Sequence, residues 1–215
     1  MPSPEVVARR RVVCVVTALV GAVLLALSLS TPPGSSRFYP LAAALALTWF
    51  VGALLAGPVR IARTRPRAPT TPAVAGLLAG LALAGACVVG TALIGSFAPV
   101  HSAVTEVTDI ARRGVPALVL PVAVVTGAAE ELFFRGAVFD ALPRDRAVVG
   151  STAVYALITL ATGNLMLVLA AAVLGGVTSQ QRRVTGGVLA PVVTHAVWST
   201  CMVLALPPVL ELVGP

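Results

Sequence analysis

Long apolar runs, broken by short clusters of arginine, proline and glycine, organise this chain from end to end. Seven runs stand out, at about residues 12–29, 38–57, 73–94, 116–142, 147–161, 165–180 and 185–206. A helix needs about 20 apolar residues to cross a bilayer. Most of the runs reach or approach that length; the fifth and sixth are short. The pattern predicts an all-α, polytopic transmembrane helix bundle of about seven spans. The first run follows Arg9, Arg10 and Arg11, as the basic start of a cleaved leader would. It is long for a leader, and residues 28–33 offer no A-x-A site. The third run holds Gly76 and Gly80 in a G-x-x-x-G spacing, which lets helices approach closely.

Residues 96–114 are more polar. Val104, Val107 and Ile110 recur at helical spacing, and Asp109 can reach Arg113 at i,i+4. This segment reads as a short helix on the membrane surface. The three parts of the chain are then residues 1–114, with three spans and this surface segment, a core over 115–206, and a tail over 207–215.

Composition sharpens the picture. Of 215 residues, 58% are hydrophobic and only 11% charged, against about 25% charged in soluble domains. All fifteen basic residues are arginine, and the formal net charge is +7. The arginines flank the apolar runs, where the positive-inside rule puts them. That placement argues for a lipid bilayer as the partner and against nucleic acid. An inside N-terminus leaves twelve arginines on the inner side: Arg9, Arg10, Arg11, Arg60, Arg63, Arg65, Arg67, Arg135, Arg144, Arg146, Arg182 and Arg183. Arg37, Arg112 and Arg113 fall outside. The C-terminus is then outside as well. The arginine-only, alanine-rich composition suggests a bacterial plasma membrane. Cys14, Cys87 and Cys201 lie within apolar runs and read as small core residues.

The chemistry concentrates where the fourth run carries Gly127-Ala-Ala-Glu130-Glu131-Leu-Phe-Phe-Arg135-Gly136. Each charge near a span's centre costs about 2.5–3.5 kcal/mol, and such groups usually face protein and mark function. Glu131 and Arg135, at i,i+4, can neutralise one another. Glu130 lies about 100° around the helix from Glu131 and has no basic residue four positions away. A carboxylate left over in this way is a candidate general base. His195 lies in the seventh run. It and Glu130 each stand ten residues from the inner end of their runs, about 15 Å deep. Two groups at one depth on different helices can converge. Thr152, Tyr155, Thr159 and Thr162 make one face of the fifth run, and Ser199 shares a face with His195. A polar cavity between the fourth, fifth and seventh spans is therefore expected, with ordinary interhelical hydrogen bonding as the alternative for the threonine face.

Glu130-Glu131-x-x-x-Arg135 resembles the first motif of the CAAX prenyl protease and bacteriocin-processing (CPBP, or Abi) family of intramembrane proteases. The family's second motif is F-x-x-x-H, and Tyr155-Ala-Leu-Ile-Thr159 falls in its place. Its third is H-x-x-x-N, and His195-Ala-Val-Trp-Ser199 falls there. The resemblance covers about residues 115–206. It implies endopeptidase cleavage of a membrane protein or peptide by a water that Glu130 activates. His195 would orient the water or stabilise the oxyanion, and Glu131 with Arg135 would hold the helix end. Thr159 stands where the family has histidine, and Ser199 where asparagine is common. If the chain is active, the Thr159 hydroxyl is expected to position the water. Zinc enters only through the resemblance. A catalytic zinc wants three protein ligands, and Glu130 and His195 are the only good candidates, so no cofactor is firmly implied. The competing reading is a catalytically impaired relative that binds a membrane protein, as in bacteriocin self-immunity.

Overall fold

The computed structural model describes residues 4–62 and 70–214, and among them every element is helical. Arg63, Arg65 and Arg67, counted above with the inner arginines, lie outside the described residues. The helices are α1 (Pro4–Leu29), α2 (Phe38–Ala56), α3 (Pro72–Ile94), α4 (Ala98–Arg113), α5 (Pro116–Glu131), α6 (Ala147–Thr159), α7 (Leu165–Thr185) and α8 (Leu189–Val213). α5 runs on without a break through a π-helical stretch, Leu132–Val138, to Phe139–Ala141. α6 ends in a 3-10 turn, Leu160–Thr162.

Five stretches are long and apolar enough to cross a membrane: Glu5–Leu29, Phe38–Ala56, Pro72–Ile94, Ala117–Ala141 and Leu189–Val213. The two short runs of the sequence reading are the ones outside this set. Ala147–Thr162 is apolar but short, and α7 carries Gln180, Gln181, Arg182 and Arg183 in its last turns. The outward faces are greasy. Val12, Leu19, Leu93, Val149 and Leu157 are all more than half exposed, a surface that suits lipid and not water. The chain is an integral membrane protein.

Close approach between helices comes from small residues, the usual means where lipid removes any hydrophobic drive to associate. A Cβ at Gly76 would lie 2.7 Å from the Ala190 carbonyl oxygen, and one at Gly80 2.8 Å from that of Thr194. The G-x-x-x-G spacing thus seats α3 on α8. Thr194 adds a hydrogen bond to the Gly76 carbonyl at 3.1 Å. On the other side Gly52 makes room for Thr17, and Gly21 for the Trp49 indole, so α1 and α2 pack tightly. Trp49 stacks on Phe133 with centroids 4.9 Å apart, and Phe134 continues the cluster to Tyr155 at 4.7 Å. These rings, buried among α1, α2, α5 and α6, fix the part of α5 that carries the charges.

α4 forms as its periodicity predicts, with Val104 buried and Asp109 paired to Arg113 at 3.3 Å. Two boundaries at the last helix differ from expectation. Gly186, at φ 71°, caps α7, and α8 begins at Leu189 rather than near residue 185. The first amides of α8 are taken by carbonyls of the segment after α2: Val188 N–H donates to Arg60 O and Leu189 N–H to Ile61 O. Residues 207–213, expected in a tail, continue α8 through Pro207 and Pro208 to Val213. Leu210 is buried there, and Glu211 pairs with Arg112 of α4.

Candidate active site

Glu130 and Glu131 close the regular part of α5, one turn below Gly127. The π-helical turns begin at the next residue. A π-turn is uncommon and often sits at a functional site. Its carbonyls attract second donors: Ser151 Oγ donates to Phe134 O at 2.8 Å, and Arg182 Nε to Arg135 O at 2.8 Å. Arg182 also pairs with Asp140 at 2.9 Å. α6 and α7 are thereby tied to the widened helix, and the widened helix is held in place.

Glu131 and Arg135 are both fully buried, with Arg135 Nε 3.2 Å from Glu131 Oε2. The pair expected at i,i+4 is present as an ion pair, although its geometry is not that of an aligned hydrogen bond. The guanidinium lies instead against π faces, 4.8 Å from the Tyr155 ring centre and 5.8 Å from that of Phe134. Gly175 of α7 leaves it room: a Cβ there would sit 3.0 Å from Arg135 Nη2. Beyond this pair, the second Glu131 oxygen reaches His195, with Nδ1 to Oε1 at 2.9 Å. Glu131 therefore bridges Arg135 and His195. Spacing along one helix could reveal only the first of these partners.

A carboxylate only accepts, so with Glu131 ion-paired to Arg135 the His195 Nδ1–H donates in that bond. Nε2 is left for another partner. The ring lies over Gly127, where a Cβ would be 2.8 Å from Cδ2 and 3.0 Å from Nε2. Gly127 is thus a site residue that the sequence reading quoted without a role. Its signal was its position three residues before Glu130, on the same helix face.

Glu130 is not without a partner. The Tyr155 hydroxyl donates to Glu130 Oε2 at 2.7 Å. His195, Glu131 and Arg135 all lie close enough to act on Glu130 electrostatically. Glu130 is 8% exposed and His195 5%, so both face protein and not lipid. They lie within electrostatic reach of one another, although the depth arithmetic changes. His195 is six residues from Leu189, about 9 Å and not 15 Å. The end of the turn at residues 186–188 is held by the carbonyls of Arg60 and Ile61.

Thr159 and Ser199 are buried, one helical turn beyond Tyr155 and His195 respectively. The Thr159 hydroxyl donates to Tyr155 O, one turn back, at 2.9 Å. It keeps only accepting lone pairs for a water. Thr152 and Thr162 likewise donate to carbonyls of their own helix. The threonine face is therefore mostly back-bonded to its own helix. Glu130, Tyr155, Glu131 and His195 pair by direct contact, and the open space lies beside them. An apolar cavity of about 350 Å³ runs between α3, α4, α7 and α8, walled by Cys87, Thr91, Val104, Met166 and Met202 among others. Trp198 lines it too, and its ring meets that of His195 edge-on at 5.9 Å.

The donors do not fit a zinc ion. Among the described residues no three His, Cys, Asp or Glu side chains could hold a metal together. His195 Nδ1 and the Glu131 oxygens are engaged with each other and with Arg135, and Glu130 Oε2 with Tyr155. A catalytic zinc would need three ligands from what is left.

Residues 112–201 match the family model of type II CAAX prenyl endopeptidase Rce1-like proteins. No curated protein and no solved structure matches the chain.

Proposed function

We propose that this chain, whose residues 112–201 match the Rce1-like family model, is an intramembrane endopeptidase of the CPBP kind whose Glu130 activates a water against a peptide bond. The observation that carries the reading is the meeting of α5 and α8 at Glu131 and His195, 2.9 Å apart, with Glu130 beside them. Glu130 Oε1 and His195 Nε2 are the acceptors left over on these two side chains. They suit a single water that donates a hydrogen to each. As the water oxygen bonds to the peptide carbonyl carbon, its proton passes to Glu130. Glu130 then returns that proton to the leaving nitrogen as the C–N bond breaks. Glu131 fixes the His195 ring, and Arg135 fixes Glu131. The tautomer that Glu131 selects favours His195 as the group that orients the water over His195 as an oxyanion donor. No step runs through a metal.

The apolar cavity beside Trp198 suits an apolar stretch of a membrane protein or peptide substrate. A bacterial plasma membrane with the N-terminus inside fits the arginine distribution. A reporter fused after Pro215 and active only in the cytoplasm would contradict that orientation. Parent protein in liposomes, assayed against quenched fluorescent peptides with and without a farnesylated CAAX end, tests the activity. Cleavage of at least one peptide by the parent and none by Glu130→Gln is the expected result. A second reading, a membrane-binding or immunity protein without catalysis, is favoured by one observation, the Thr159 proton committed to a backbone carbonyl. A biological phenotype that survives Glu130→Gln would select it.

A further inference from the structure

Five side chains form a chain of contacts around α5. Glu131 touches His195 and Arg135, Arg135 lies over the Tyr155 ring, and the Tyr155 hydroxyl donates to Glu130. The Arg135 guanidinium is fully buried and its nitrogens have no hydrogen-bond acceptor among the described residues. Its charge therefore acts through space, on Glu131 directly and on the ring 4.8 Å away. A cation over an aromatic face draws on the ring's electrons. In a phenol, that makes the O–H a stronger donor. Tyr155 is itself held: Phe134 packs on its ring, and Thr159 donates to its backbone carbonyl.

We propose that Tyr155 is a positioning residue for Glu130, which relays the charge of Arg135 to that carboxylate and turns its second oxygen, Oε1, toward the water. Arg135 thereby acts on both carboxylates of the Glu130-Glu131 pair, on one by ion pairing and on the other through a polarised phenol. During hydrolysis the Tyr155 proton stays on Tyr155. The proton that moves goes from water to Glu130 Oε1 and on to the leaving nitrogen. This deepens the endopeptidase reading and rests on it for the proton steps, but the hold on Glu130 can be read without any substrate.

Tyr155→Phe keeps the ring, its packing and its contact with Arg135, and removes only the hydroxyl. The infrared band of the Glu130 carboxyl, identified by its loss in Glu130→Gln, should move in Tyr155→Phe while the melting temperature stays close to the parent's. A misplacement of about 1 Å at the reacting groups can cost about a hundredfold, so kcat on the liposome peptides should fall roughly tenfold to a hundredfold. KM should change little, because Tyr155 touches Glu130 and not the substrate. A band that does not move overturns the proposal, as does a Tyr155→Phe enzyme with the parent's kcat. If the parent cleaves no peptide, the endopeptidase reading fails separately, and the band alone decides whether Tyr155 holds Glu130.

Discussion

The α1–α2 and α3–α8 contacts differ in kind from the contacts around α5. The first group is steric. Gly21, Gly52, Gly76 and Gly80 let backbones approach, and what fills the space is Trp49, Thr17 and the α8 backbone. The second group is polar. α5 meets α8 through Glu131 and His195, α6 through Tyr155 and Ser151, and α7 through Arg182. Lipid offers no water to an unpaired polar group, so charges at this depth must find protein partners. The cheaper way to associate helices is the first. Among the described residues the buried charged side chains, Glu130, Glu131, Arg135 and Arg182, all lie on α5 or against it.

Substitutions should separate the two kinds. Arg135→Ala has the largest expected effect on folding. It leaves Glu131 buried beside His195 with no fixed cation, and breaking a buried pair costs about 3–5 kcal/mol. The yield of folded protein should fall sharply, and normal accumulation with the parent's heat resistance would refute the pairing. Gly80→Ala and Gly127→Ala come next, each with an overpacking penalty of about 1–3 kcal/mol. Gly80→Ala should lower the melting temperature, because its Cβ meets the α8 backbone at 2.8 Å, yet leave the activity per folded molecule unchanged. Gly127→Ala should displace the His195 ring and lower kcat beyond any loss of stability. If the two variants behave alike, the steric and polar contacts are not functionally distinct. Thr159→Val should have the smallest effect, under about 1.5 kcal/mol in stability, since it removes one hydroxyl bonded to its own helix. A large loss of kcat there would return Thr159 to the water site.

The apolar helices, the α4 helix with its Asp109–Arg113 pair, and the Glu131–Arg135 pair were legible in the sequence, because each depends on periodicity within one segment. The role of Gly76 and Gly80 was legible for the same reason. The rest lies between helices. No spacing along α5 says that Glu131 also faces His195, or that Tyr155 reaches Glu130. The π-turn was hidden as well. Its widened carbonyls are stabilised by Ser151 and Arg182, which are distant in sequence. The late start of α8 depends on the carbonyls of Arg60 and Ile61, which no local signal at residues 185–189 announces. Depth arithmetic pointed from Glu130 toward His195, whose ring bonds the neighbouring Glu131, but it misjudged the ends of α8.

The central claim is that Glu130 activates a water for peptide hydrolysis, and isotope labelling tests it most directly. Parent and Glu130→Gln proteins, matched for folded amount, are reconstituted in liposomes with the peptide panel in ¹⁸O-enriched water. The account predicts a parent product whose new carboxylate carries one ¹⁸O atom from solvent, and a Glu130→Gln rate lower by about 10²–10⁴, the usual contribution of a general base. Cleavage by Glu130→Gln at the parent's rate, or no product from the parent on any peptide, would contradict it.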